Sequence, residues 1–214
     1  MNILILAAHP DDECIGMGAT IKKLSKKFKI HLCVVSDGAS AQYSDKKMIT
    51  ERRTACKNSG KILGISNYNF LNFPDMKLDT VPHLEINREL EKIIKKVNPK
   101  IVYTTPNNDF NKDHQKVFES TLIVSRPQSS NVKHVFSYEL TGKKQTNLIP
   151  NVYEDITKTF EYKIKSFKMY KSEVMKFPHP RSLKAIENLA IMRGVDSNLE
   201  KAEAFHLVHS INNK

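Results

Sequence analysis

The sequence predicts an α/β fold, an open and mostly parallel sheet with helices packed on both faces. Three observations carry this expectation. The first apolar run, residues 3–8, is unbroken rather than alternating, as a strand covered on both faces must be. Apolar residues then recur at helical spacing at Met17, Ile21, Leu24 and Phe28. This strand-then-helix order repeats along the chain.

A second strand is predicted over 31–36, ending at Asp37-Gly38, and a polar loop leads to a helix over 45–63 that Gly64 closes. A short strand over 68–72 precedes a helix over 81–97, whose stripe Ile86, Leu90, Ile93, Ile94 and Val97 stops at Asn98-Pro99. A strand over 100–105 and a helix over 113–124 follow. A strand over 132–140, helices over 156–175 and 182–192 and a last strand over 205–210 complete the series. The proline-framed segment Phe177-Pro178-His179-Pro180-Arg181 is read as a rigid loop between the last two helices.

With 214 residues the chain is long enough for one domain, 1–214, with a core of about 1–140 and a C-terminal part of about 141–214 completing the pocket. A content of 40% hydrophobic and 27% charged residues is that of an ordinary globular protein rather than a disordered one. No stretch is apolar for long enough to span a membrane and no signal peptide is evident, so a cytoplasmic protein is expected. Cys14, Cys33 and Cys56 lack a Cys-x-x-Cys spacing and suggest neither a disulfide framework nor a zinc ribbon. The net charge of +11 comes from 28 Lys against six Arg, spread along helix faces. Arginine is what bidentate phosphate and base contacts require, so no nucleic-acid partner is expected. The first turn also lacks the Gly-x-Gly-x-x-Gly cradle of a dinucleotide enzyme, because Gly16 and Gly18 already fall inside the first helix.

In doubly wound sheets ligands sit beyond the carboxyl ends of the strands. There the first loop reads His9-Pro10-Asp11-Asp12-Glu13. One Asp at a helix start is a normal cap, but three acids and a His on one turn repel one another unless a cation or hydrogen-bond donors compensate, and a metal ion is the economical answer. A catalytic zinc takes three protein ligands and keeps a fourth position open. His9 and Asp12 supply two, and the polar loop 107–114 after the strand over 100–105 offers His114 as the third. Asp11 is left as a general base, and Asp113 or Glu13 as the carboxylate that orients a ligating imidazole.

These residues resemble the PIG-L (LmbE-like) family of metal-dependent N-acetylglucosaminyl deacetylases. The similarity runs through Ala8-His9-Pro10-Asp11-Asp12-Glu13, Arg52-Arg53, Leu63-Gly64, Phe73-Pro74-Asp75, Asp113-His114, Arg193-Gly194 and Ala202-Glu203-Ala204-Phe205, nearly the whole chain. The resemblance implies a Rossmann-like, three-layer sandwich and a zinc site, with iron(II) as the other candidate metal, made by His9, Asp12 and His114. It implies Asp11 as base and Arg53 and Asp75 facing the sugar. It also exposes a departure. Many members carry a second His three residues before the ligand His, where this chain has Asn111. An Asn amide can still donate to an oxyanion, and His179, with Arg181 beside it at the substrate, is a second candidate for that contact. The expected activity is hydrolysis of the N-acetyl group of an N-acetylated amino sugar, a sugar nucleotide among the candidates. The alternative is a non-catalytic carbohydrate-binding protein with the same fold and metal. The oligomeric state is not readable from these features.

Overall fold

The computed structural model describes residues 1–43, 46–142 and 149–212. The strands are β1 (Asn2–Ala7), β2 (Lys29–Ser36), β3 (Asn67–Phe73), β4 (Ile101–Thr104), β5 (His134–Tyr138), β6 (Val152–Asp155) and β7 (Ala202–Ser210). The helices are α1 (Asp12–Leu24), α2 (Lys46–Leu63), α3 (His83–Val97), α4 (Lys112–Val124), α5 (Phe160–Phe167) and α6 (Leu183–Ser197), with a 3-10 turn at Leu78–Thr80. They form one seven-stranded sheet in the order β3-β2-β1-β4-β5-β7-β6. The first five strands are parallel, and β7 runs antiparallel to both β5 and β6.

The unbroken apolar run of β1 is explained by the two cores. Ile3, Ile5 and Ala7 face one core with Cys14, Met17, Cys56, Leu63, Phe167 and Ile186, which belong to α1, α2, α5 and α6. Leu4, Leu6 and Ala8 face the other with Ile86, Leu90, Val117 and Val124 of α3 and α4. The fold is therefore a three-layer α/β sandwich. No helix among the described residues is long and apolar enough to cross a membrane.

Three elements depart from expectation. The helix expected over 156–175 is cut to the eight residues of α5. Beyond it the chain turns so that Tyr170 and Glu173 reach α1 and α2, and those tertiary hydrogen bonds override helical propensity. Strand β6 is short, lies at the sheet edge and pairs with β7 alone, so it has no hydrophobic signature of its own. Helix α6 continues past Met192 and includes Gly194, where an added Cβ would lie 2.5 Å from the Leu199 carbonyl oxygen; only glycine admits the chain that closely.

Helix α1 is kinked at Met17, whose φ of −147° is non-helical. Glu203 of β7 accepts hydrogen bonds from the backbone N–H groups of Ala19 and Thr20 just beyond the kink, at 3.1 and 2.7 Å, and an ion pair from Lys163 at 2.7 Å. Both charged groups are buried. Removing one member of such a cluster leaves an uncompensated buried charge and two unsatisfied donors. Glu203→Ala is therefore expected to lower the unfolding free energy by about 3–5 kcal/mol, read from urea melts. A loss below about 1 kcal/mol, the scale of an exposed pair, would show that the cluster does not hold β7 to α1.

Candidate metal centre and active site

The strand order reverses between β1 and β4, so the crevice beyond their carboxyl ends is where two loops diverge and a ligand can enter. The loop after β1 carries His9 to Asp12, and the loop after β4 leads to His114 in the first turn of α4. Together they place His9 Nδ1, an Asp12 carboxylate and His114 Nε2 in one buried cluster. Nδ1 of His9 lies 3.4 Å from Asp12 Oδ2 and 3.2 Å from His114 Nε2, which lies 3.3 Å from Asp12 Oδ1. Donor atoms at these separations match neighbouring ligands around a divalent cation with bonds of about 2.0–2.1 Å.

The far nitrogen of each imidazole is also provided for. His9 Nε2 is 3.1 Å from Asp113 Oδ2, and His114 Nδ1 is 2.8 Å from Asp109 Oδ2. A carboxylate on one ring nitrogen leaves the other as the unprotonated donor a metal needs. His9, Asp75 and Asp113 form a second cluster of possible ligands around His9 Nε2. The first is the better fit, because Asp113 already accepts the backbone N–H groups of Met76 and Leu78 at 2.8 and 2.9 Å. Asp75 Oδ1 lies 3.4 Å from His9 Nε2.

The electrostatics favour positive charge at this spot. Burial pulls His9 down, but Asp113, Asp12 and Asp75 outweigh it and raise its pKa to about 10. His114 is raised to about 9 in the same way, burial opposing and Asp12 and Asp109 prevailing. Burial pushes Asp12 up, yet His114 and His9 hold it well below the usual carboxylate range.

Asp11 is different in kind. It stands at the N-cap of α1 but its side chain makes no capping hydrogen bond, and its φ of 125° and ψ of −25° are strained for a residue with a side chain. Its backbone N–H donates to Glu13 Oε2 at 3.2 Å, and Tyr170 donates its hydroxyl to Glu13 Oε1 at 2.5 Å. Glu13 thus braces Asp11 and does not orient an imidazole; burial lifts its own pKa to about 7 against the Tyr170 hydrogen bond. On the other side of the turn, Gly38 with φ +69° leaves no room for a side chain, since an added Cβ would come 2.2 Å from Pro10 Cδ. The Asp11 carboxylate is fully buried, and among the described residues neither oxygen has a hydrogen-bond partner. Burial pushes its pKa up to about 6, with Arg181 and Arg52 pulling it down.

The remaining expected residues are placed as follows. Asn111 is the N-cap of α4; its Oδ1 accepts from the Asp113 N–H at 2.9 Å and its Nδ2 reaches Met76 Sδ at 3.5 Å. His179 is exposed, and its Nδ1 accepts the backbone N–H of Arg181. It is Arg181, from that same loop, that reaches inward, to 4.0 Å from Asp11 Oδ2. Arg53, expected to face a sugar, instead bonds Asn72 and lies over the Phe70 ring. Its neighbour Arg52 takes the inward position, 3.6 Å from Asp11 Oδ2 and donating to the Pro10 carbonyl at 2.8 Å. The reason is helical phase. Arg52 continues the buried stripe of Cys56, Ser59 and Leu63, a periodicity that could have identified it. Asp109 could have been found as a further acid in the polar loop before His114. Tyr170 and Glu173 carry no local signal. A groove of about 680 Å³ between β3 and α3 lies elsewhere and holds none of these residues.

Comparison with known proteins identifies the family and the fold. The family described as "PIG-L: GlcNAc-PI de-N-acetylase" matches residues 4–125, more than half of the chain. The chain belongs to the PIG-L family. A relative in Escherichia coli (strain K12), "Uncharacterized deacetylase YaiS", is 31% identical over 181 residues, covering 80% of this chain and 91% of that protein. The structure of N,N'-diacetylchitobiose deacetylase from Pyrococcus horikoshii superposes with a TM-score of 0.81 at 24% identity, over 97% of this chain and 84% of that one. GalB of Pseudomonas putida KT2440, a 4-carboxy-2-hydroxymuconate hydratase, superposes with a TM-score of 0.80 at 20% identity, over 100% and 98%. This chain, a deacetylase and a hydratase thus share one fold, and side chains rather than fold must decide the reaction.

Proposed function

We propose that this PIG-L protein is a metal-dependent hydrolase that removes the N-acetyl group from an N-acetylated amino sugar or sugar conjugate, releasing acetate and a free amine. The observation that carries the reading is Asp11, a buried carboxylate with neither oxygen hydrogen-bonded among the described residues, beside a convergent His-Asp-His donor set. A binding module has no use for such a group, whose burial costs stability. In this reading 1–214 is one domain whose part from about 141 onward completes the pocket.

Zinc or iron(II) would be held by His9, Asp12 and His114 and, when bound, would supply Lewis-acid polarisation of the amide carbonyl and of water. Asp11 accepts a proton from the attacking water as its oxygen bonds the carbonyl carbon. Asp11 then returns that proton to the sugar nitrogen as the C–N bond breaks, giving amine and acetic acid, whose remaining proton passes to the amine or solvent to leave acetate. Asn111 Nδ2, whose partner is the weak acceptor Met76 Sδ, is the side-chain donor available to the oxyanion. In this reading His179 on its exposed loop, Arg181 and Asp75 would contact the substrate, and Arg52 would take over the part expected of Arg53.

The test is acetate release from metal-loaded protein, with and without chelator, across N-acetylglucosamine, N,N'-diacetylchitobiose and N-acetylated sugar nucleotides. Chelator-sensitive release from at least one of them is expected. One metal per chain with no acetate from any would overturn the hydrolase and leave the carbohydrate-binding alternative.

A further inference from the structure

Glu173 is buried on the turn beyond α5 and holds two arginines at once. Its Oε1 accepts from Arg52 Nη1 and its Oε2 from Arg181 Nη1, while Ser172 Oγ donates to Oε1 at 3.0 Å. Both guanidinium groups face Asp11, yet their nearest nitrogens stop 3.6 and 4.0 Å from its Oδ2, outside hydrogen-bonding range. An arginine this close to a buried carboxylate ordinarily closes on it to about 2.7–2.9 Å. Here each is restrained, because Nη1 of both is committed to Glu173 and Nη2 of Arg52 is committed to the Pro10 carbonyl.

We propose that Glu173 is a positioning residue that holds Arg52 and Arg181 beside Asp11 while preventing either from bonding it. This rests on Asp11 being the base of the hydrolysis. Two guanidinium groups within about 4 Å compensate the charge of a carboxylate that has no hydrogen-bond partner of its own among the described residues. A guanidinium bonded directly to Asp11 would occupy the lone pairs that must receive a proton. Glu173 separates these two effects, giving the field of both arginines without their hydrogen bonds. Glu173 and Arg181 both lie beyond residue 125, where the family match ends, so the device belongs to the C-terminal part of this chain. Arg181 is the one free to collapse, being partly exposed and, among the described residues, lacking the second anchor that Arg52 has.

The experiment compares wild type, Glu173→Gln and the double variant Glu173→Gln/Arg181→Gln by crystal structure and by kcat and KM. In Glu173→Gln, Arg181 is expected to move within hydrogen-bonding distance of Asp11, with kcat falling roughly 10–100-fold and KM changing less than about threefold. The double variant is expected to recover at least about tenfold in kcat over Glu173→Gln, a rescue no purely structural role would produce. Any contact of Arg181 with substrate then shows in KM. The proposal is overturned if Arg181 stays off Asp11 in the Glu173→Gln structure, or if the double variant is no faster than the single one. If wild type turns over no N-acetyl sugar, the hydrolase reading fails, while the crystal structure still decides whether Glu173 restrains Arg181. Should Glu173→Gln not fold, Glu173→Asp, too short to span both guanidiniums, gives the same two readouts with a smaller loss.

Discussion

Replacing Asp11 with Asn is expected to lower kcat for acetate release by roughly 10²–10⁴-fold, the range a positioned general base contributes. Metal stoichiometry should stay at the wild-type value, because the donor atoms belong to His9, Asp12 and His114 and Asp11 lies outside that set. Thermal stability should hold or rise. The wild-type carboxylate is buried without hydrogen bonds, a state burial disfavours strongly enough to lift its pKa to about 6 against Arg181 and Arg52. A neutral amide of the same shape escapes that penalty, the usual sign of a group retained for function at the expense of stability. Measuring kcat, bound metal and Tm on one preparation separates the outcomes. A slow variant that has lost metal would make Asp11 a ligand, and a variant of wild-type speed would remove it from the chemistry.

His114→Ala should abolish metal binding at micromolar metal and acetate release with it, while the fold persists, since α4 is anchored through Val117, Val124 and the Asn111 cap. The finer test is Asp109→Asn. Asp109 holds His114 Nδ1 at 2.8 Å and so fixes which ring nitrogen carries the proton. Loss of such an outer partner costs about 10–100-fold in metal affinity. Competition against a chromophoric chelator would measure it, and adding excess metal should restore most of the rate to Asp109→Asn but none to His114→Ala. Unchanged affinity in both variants would shift the metal to the other cluster, His9, Asp75 and Asp113.

What was legible in the sequence was what is local. The run of β1 announces a strand covered on both faces because neighbouring side chains point to opposite sides. Helix α3 was legible to within two residues because its apolar stripe repeats at 3.6 and ends at Asn98, whose left-handed φ of 47° stops it. The crowding of charge in 9–13 and 107–114 pointed to a cation, and the structure brings His9, Asp12 and His114 into one cluster. The surroundings of that cluster were less legible. Arg53 rather than Arg52 was expected inward because adjacent arginines cannot be told apart without the phase of α2. The helix expected over 156–175 was too long because its apolar spacing cannot report that Tyr170 and Glu173 are drawn out of it.

By itself, then, the sequence determined the layered α/β order, the strand ends where a ligand can sit and the residues able to hold a metal there, since each is written in contiguous residues. The tertiary structure alone decided what the Asp11 carboxylate meets. Glu13 is its neighbour in sequence, but Arg52, Tyr170, Glu173 and Arg181 come from distant segments, the partners Arg52 and Glu173 being 121 positions apart in the chain. Whether a buried acid is bare, bonded or neutralised depends on distances in space to every charge around it, and no pattern along the chain encodes that sum.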